Sequence, residues 1–181
     1  MRKLLVLVLF ASCFSLPAQE TRHEIVNSHG HANDTKPLSP AVPDVFAVSG
    51  DLERIVVLRF KFGTDLLAGL KQMIAQEKIK NAVILSGFGS VRGYQIHQVS
   101  NRDFPSKDMF TKNPTAPADI IGMSGMVMDG RVHPHITMAN ANGAFGGHLE
   151  PDTQVFTFAV ITLGVLDDKM DMSQFDDSSY R

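Results

Sequence analysis

The densest alternation in the chain runs from Ile121 to Glu150, where two turn dipeptides, Asp129-Gly130 and Asn142-Gly143, separate three stretches of alternating apolar and polar residues. Both dipeptides suit a type I′ turn, whose two central residues need φ > 0, so the spacing predicts two successive β-hairpins. With Asp129-Gly130 as a two-residue loop, Met128 faces Arg131, Met126 faces His133, Ser124 faces His135 and Gly122 faces Thr137. Side chains alternate faces with period two, so these residues share one polar face. Val127 with Val132, Gly125 with Pro134, Met123 with Ile136 and Ile121 with Met138 form the opposite, core face. The same arithmetic about Asn142-Gly143 sets His148 opposite Thr137 and Glu150 opposite His135. His133, His135 and His148 then converge on the polar face, with His148 diagonal to His135 at roughly 7–8 Å. A bulge at Gly146-Gly147 would alter that register.

Upstream, Arg54 to Phe60 is β-branched and reads as a strand. Gly63-Thr64-Asp65 opens a helix with Thr64 as N-cap, and Leu66, Leu67, Leu70, Met73 and Ile74 follow at helical spacing. Gly69 inside it costs about 1 kcal/mol against alanine, which points to close packing or to tolerance. Asn81 ends the helix, and Ala82 to Ser86 reads as a buried strand. The glycines at 87, 89 and 93 invite comparison with G-x-G-x-x-G, but the third comes one place late, and Tyr94 to Val99 alternates like a strand rather than opening a helix. A dinucleotide site is therefore rejected, and Gly87 to Gly93 is read as a tight corner between strands. His97 reads as a hydrogen-bonded structural histidine in preference to a fourth ligand. Residues 101–118, with Pro105, Pro114 and Pro117, read as a long loop that covers a pocket or reaches a neighbouring subunit. Val155 to Leu166 is almost continuously apolar and fits a central strand, covered on both faces or facing another subunit.

The chain ends divide the rest. Residues 1–18 carry Arg2 and Lys3, a short apolar run and a small residue before Gln19, the pattern of a secretory leader cleaved after Ala18. The run is too short for the roughly 20 apolar residues of a spanning helix, and no membrane span is expected elsewhere. Residues 19–45, with His29, His31, Pro37, Pro40 and Pro43, read as a flexible tether, 46–166 as the folded domain and 167–181 as a solvated acidic tail. Loss of the leader removes the single cysteine, Cys13, and with it any intramolecular disulfide or thiolate ligand. Acylation of Cys13, making a lipoprotein, is a weaker alternative. The formal charge moves from -2 to -4 as Arg2 and Lys3 leave, a poor balance for nucleic acid.

His133-Pro-His135 alone is as well explained by polar residues on an exposed sheet face. Adding His148 on that face raises the rival reading of a divalent metal, zinc above others, because three neutral imidazoles plus water is the pattern of catalytic zinc. Such a site suits hydrolysis or carbonyl chemistry on a small molecule. Glu150 is then the acid or base, a residue orienting His135, or an exposed turn residue. The alternatives are a non-catalytic module that binds a ligand or assembles, and a DNA-binding protein.

Arg59-Phe-Lys-Phe-Gly-Thr-Asp-Leu-Leu67, Val83-Ile-Leu-Ser-Gly-Phe-Gly-Ser90, Ile121-Gly-Met-Ser-Gly125, His133-Pro-His135 and Gly143-Ala-Phe-Gly-Gly-His-Leu149 together resemble the plants-and-prokaryotes conserved (PPC) domain from about Arg54 to Leu166. The resemblance implies an α/β (α+β) fold, a mixed and mostly antiparallel sheet with one main helix packed on it, and a homotrimer. Its histidines are similar to the three-histidine zinc site of acetolactate decarboxylase, which by analogy makes His133, His135 and His148 the ligands. Plant members of the family that associate with DNA carry an Arg-Gly-Arg-Pro AT-hook, which this sequence lacks.

Overall fold

The computed structural model describes residues 21–27 and 40–176; the leader with Cys13 and the pair His29 and His31 lie outside the described residues. Eight strands and one helix follow in order: β1 (Arg22–Asn27), β2 (Leu52–Lys61), α1 (Leu66–Gln76), β3 (Ala82–Val99), β4 (Lys107–Asn113), β5 (Ala118–Met128), β6 (Arg131–Asn140), β7 (Gly143–Leu149) and β8 (Gln154–Leu166). The ladders joining these strands are antiparallel and belong to one sheet, so the expected class, a mostly antiparallel sheet with one main helix, holds. No helix among the described residues is long and apolar enough to cross a membrane.

Helix α1 lays Leu66, Leu67, Leu70 and Ile74 into the core, as the 3.6-residue period requires. Asp65 rather than Thr64 is the N-cap, its carboxylate accepting the Ala68 N–H at 2.8 Å. The helix also ends before Asn81, at Glu77, where Lys78 takes a left-handed φ of 52°. At Gly69 a Cβ would lie 2.9 Å from the Phe60 ring, so the glycine belongs to the close packing of helix on strand.

Strand β8 lies between β2 and β3. Val155, Ala159, Ile161 and Leu163 on its inner face are buried, while Phe156 and Phe158 on the other stand in solvent. It is thus central within the sheet but covered on one face only within the protomer. Strand β3 runs through the expected glycine corner without a break. Its ladder to β8 slips at three places, and a Cβ on Gly89, at φ 143°, would collide with the Phe158 carbonyl. These glycines allow two backbones to approach at bulges.

Two strands lie where loops were expected. β4 occupies the middle of residues 101–118, and β1 falls within the expected tether, pairing with β4 from Arg22↔Lys112 to Asn27↔Lys107. As an edge strand held by backbone hydrogen bonds, with Ile25 66% exposed, β1 buries no apolar stripe, so its sequence carries no alternation to read. The acidic tail differs as well. Residues 167–176 return along the domain, with Met172 3% exposed.

The first hairpin has the expected register from Met128↔Arg131 through Gly122↔Thr137, around a turn with φ of 52° at Asp129 and 76° at Gly130. A slip between Ile120 and Gly122 then brings Ile120, not Ile121, opposite Met138, which turns Ile121 outward. In the second hairpin Asn140 Oδ1 accepts the Asn142 N–H at 2.8 Å, an Asx turn that makes Ala141 and Asn142 the loop and pairs Asn140 with Gly143. His148 therefore faces His135 rather than Thr137. The slip is two residues, so side-chain parity is kept and His148 stays on the expected face. β7 continues onto β3 at His97↔His148 and Ile96↔Leu149, which closes β3, β5, β6 and β7 into a ring.

Candidate metal centre

Ring closure creates a rung across four strands: Ser124, His135, His148 and His97. His133 stands two residues before His135 on the same face of β6. Its Nε2 lies 3.2 Å from His135 Nε2, with the rings stacked at 5.3 Å between centroids. The His148 ring is edge-on to both, at 4.8 Å from His133 and 5.6 Å from His135. It stacks on His97 at 4.6 Å, and Phe110 of β4 packs against His97 at 5.0 Å. The three histidines singled out in the sequence do meet, and His97 joins them.

Glu150 lies just past β7, its N–H bonded to the Gln95 carbonyl at 3.1 Å. Its Oε1 accepts from His97 Nδ1 at 2.6 Å and from His148 Nδ1 at 3.2 Å. Glu150 therefore orients His148 and His97, not the His135 that the expected register gave it. Burial by itself would raise its carboxyl pKa, but the hydrogen bonds and charges of His148 and His97 outweigh that and lower it to about 2. Burial lowers the pKa of His135, helped by the charges of His133, His148 and His97, so His135 favours the neutral, metal-binding form.

The proton positions follow from these partners. A carboxylate only accepts, so Nδ1 is the protonated nitrogen of His97 and His148, bonded to Glu150, and of His133, bonded to Asp176 Oδ1 at 2.7 Å. With the proton on Nδ1, the lone pair that each of these rings can offer a metal lies on Nε2. Imidazoles tied through one nitrogen to a carboxylate with the other nitrogen free are the usual state of metal-binding histidines. The Nε2 atoms of His133 and His135 are also spaced as tetrahedral zinc would space them, since ligand bonds of about 2.0–2.1 Å separate two nitrogens by roughly 3.3 Å. His97, His148 and Glu150 each bring one potential ligand atom within 4.8 Å of the others and could hold a metal ion. The donor set fits a divalent cation.

His97 reads in the sequence as a hydrogen-bonded histidine, and its bond to Glu150 agrees, but its place beside His148 was not foreseen, nor was the role of Asp176. The alternation around His97 fixed its face but not its partner strand, which only ring closure supplies. Asp176 was counted as one acid in a solvated tail, and no local pattern ties it to His133.

Residues 47–167 match the Plants and Prokaryotes Conserved (PCC) domain. The chain belongs to this family. A bifunctional protein GlmU from a Synechococcus species is 29% identical over 111 residues, 61% of this chain but 16% of that protein, so the chain spans about a sixth of the curated relatives it matches. Among solved structures, the PPC protein of Pyrococcus horikoshii is 25% identical, with a TM-score of 0.53 over 71% of this chain and 86% of its own. A protein described as metal-containing, from Archaeoglobus fulgidus, gives 0.61 at 20% identity over 75% of this chain and 95% of its own, a likeness of fold. In this PCC domain the four histidines and Glu150 lie inside the matched span, whereas Asp176 lies beyond it.

Proposed function

We propose that this PCC-domain protein binds a divalent metal, zinc in preference to others, through Nε2 of His133, His135 and His148, with Glu150 and His97 orienting His148 from behind. The observation that carries the reading is the 3.2 Å approach of His133 Nε2 to His135 Nε2, with Asp176 holding Nδ1 of His133 and Glu150 holding Nδ1 of the neighbouring His148. An ion held by three imidazoles keeps an open position, acidifies bound water to a pKa of about 7 and polarises carbonyls, which suits hydrolysis or lyase chemistry on a small molecule. Glu150, ionised at neutral pH and engaged by two imidazoles, serves positioning better than proton transfer. A second donor set, His97, His148 and Glu150, has its own support in the 4.8 Å grouping. Metal content of the purified protein separates the two. His133→Ala is expected to lose the metal while His97→Ala keeps most of it, and the reverse result would favour the second set. A protein that loads metal yet turns over no ester, lactone or keto acid would be a ligand-binding or assembly module instead. The acidic balance of the chain supports a small-molecule role over DNA.

The same reading includes export and a homotrimer. The leader pattern of residues 1–18 supports export. The outer face of β2, β8 and β3 supports self-association, because Ile55, Val57, Leu85, Phe88 and Phe158 are all more than a third exposed on it. An intact mass starting at Gln19 in exported material and a light-scattering mass of three protomers are expected; a full-length monomer would refute both.

A further inference from the structure

The segment after β8 is built into the domain rather than appended to it. Asn81, fully buried, donates through Nδ2 to the carbonyls of Asp167 at 3.3 Å and Met170 at 2.9 Å, while its own carbonyl accepts the Leu166 N–H at 2.9 Å. Lys80 Nζ adds a bond to the Asp168 carbonyl at 3.0 Å. Met172 is buried, and the Phe175 ring packs on Phe46 at 4.7 Å. Just before Met172, Asp171 accepts from both the backbone N–H and the hydroxyl of Ser173, at 3.0 and 2.7 Å, which makes a local turn. These anchors deliver Asp176 to His133 Nδ1 at 2.7 Å, with the carboxylate 29% exposed and the imidazole 41% exposed.

We infer that Asp176 is a positioning residue of the metal centre. The strap from Asp167 to Asp176 holds its carboxylate against His133, fixes the Nδ1–H tautomer and aims the Nε2 lone pair at the ion. This rests on the metal reading above for its consequence, but not for the tautomer, which the contact sets with or without metal. An exposed neutral histidine has no such constraint, and a ring free to flip or to protonate Nε2 is a poorer ligand. Carboxylates behind metal-bound imidazoles raise ligand basicity and hold ring orientation, and removing one typically costs 10–100-fold in metal affinity. Asp176 lies nine residues beyond the matched PCC span, which ends at residue 167.

The experiment compares the wild-type chain with Asp176→Ala and with a chain ending at Met172, which keeps the buried anchor. Zinc affinity is read by competition with a chromophoric chelator, and the ¹⁵N shifts of His133 are read in metal-free protein. Wild type is expected to show His133 protonated at Nδ1. Both variants are expected to lose that preference and to bind zinc about 10–100-fold more weakly. Asp176→Glu should restore part of both. An unchanged His133 tautomer overturns the inference, whether or not affinity falls, because a fall alone would reflect general loosening of the tail; so does an unchanged affinity in a protein that binds zinc. If wild type takes up no zinc, the metal reading fails, and the tautomer comparison alone decides the role of Asp176.

Discussion

His148→Ala is expected to abolish metal binding while leaving the domain folded. His148 is the one residue common to both donor sets, the middle of the rung between His135 and His97, and the residue Glu150 shares with His97. Under either donor set its removal would delete a ligand and free the neighbours it packs against, so the loss should exceed the 10–100-fold typical of residues behind the ligands. The fold should survive, since the imidazole is 21% exposed and β7 remains held by its backbone ladders and by fully buried Leu149. Thermal unfolding with and without zinc reports both halves of the expectation. At a zinc concentration 100 times its Kd, wild type should gain about 2.7 kcal/mol of stability and the variant almost none. A variant with the wild-type zinc shift would sink both metal sets at once.

How far this site could be read from the sequence depends on how local each constraint is. Asp129-Gly130 fixed the first hairpin because the turn residues themselves demand positive φ, and the structure shows it at both. The Asn142-Gly143 register missed by two residues, since Asn140 captured the Asn142 N–H and moved the loop. His148 kept its face all the same, because faces depend on odd or even spacing and a slip of two leaves that unchanged. His97 lies many strands of sequence away from His148, and its ladder to β7 is two rungs long, too short to leave a pattern. β1 and β4 went unread for the opposite reason. They are hydrogen-bonded but sparsely buried, and apolar periodicity reports burial rather than pairing. Asp176 is the extreme case, placed by a strap whose anchors, buried Asn81 and Met172, look like ordinary residues until the chain has folded.

A large effect on both fold and site is expected from Gly147→Val. Gly147 lies between His148 and Gly146 on the strand that closes the ring, and a Cβ there would strike the His97 backbone carbonyl of β3. A flexible side chain could move aside, but here the obstacle is main chain inside a ladder, so β7 must separate from β3 or the ladder must distort. A branched side chain forced into that gap should cost about 3 kcal/mol. For a chain of this size that corresponds to a drop of roughly 6–12 °C in Tm, measured on metal-free protein so that ligand stabilisation plays no part. The same separation would draw His148 away from His97 and pull Leu149 from the core, so zinc affinity should fall together with stability. Gly122→Val is the matched control. Gly122 faces the same side of β5 as Ser124, and a Cβ there meets nothing within 4 Å, so its stability change should stay within about 0.5 kcal/mol. Equal stability of the two variants would mean that β7 does not close onto β3. His97 would then lose its place beside His148, whereas the His133 and His135 pair, carried on β6 and fixed by the first hairpin, would remain.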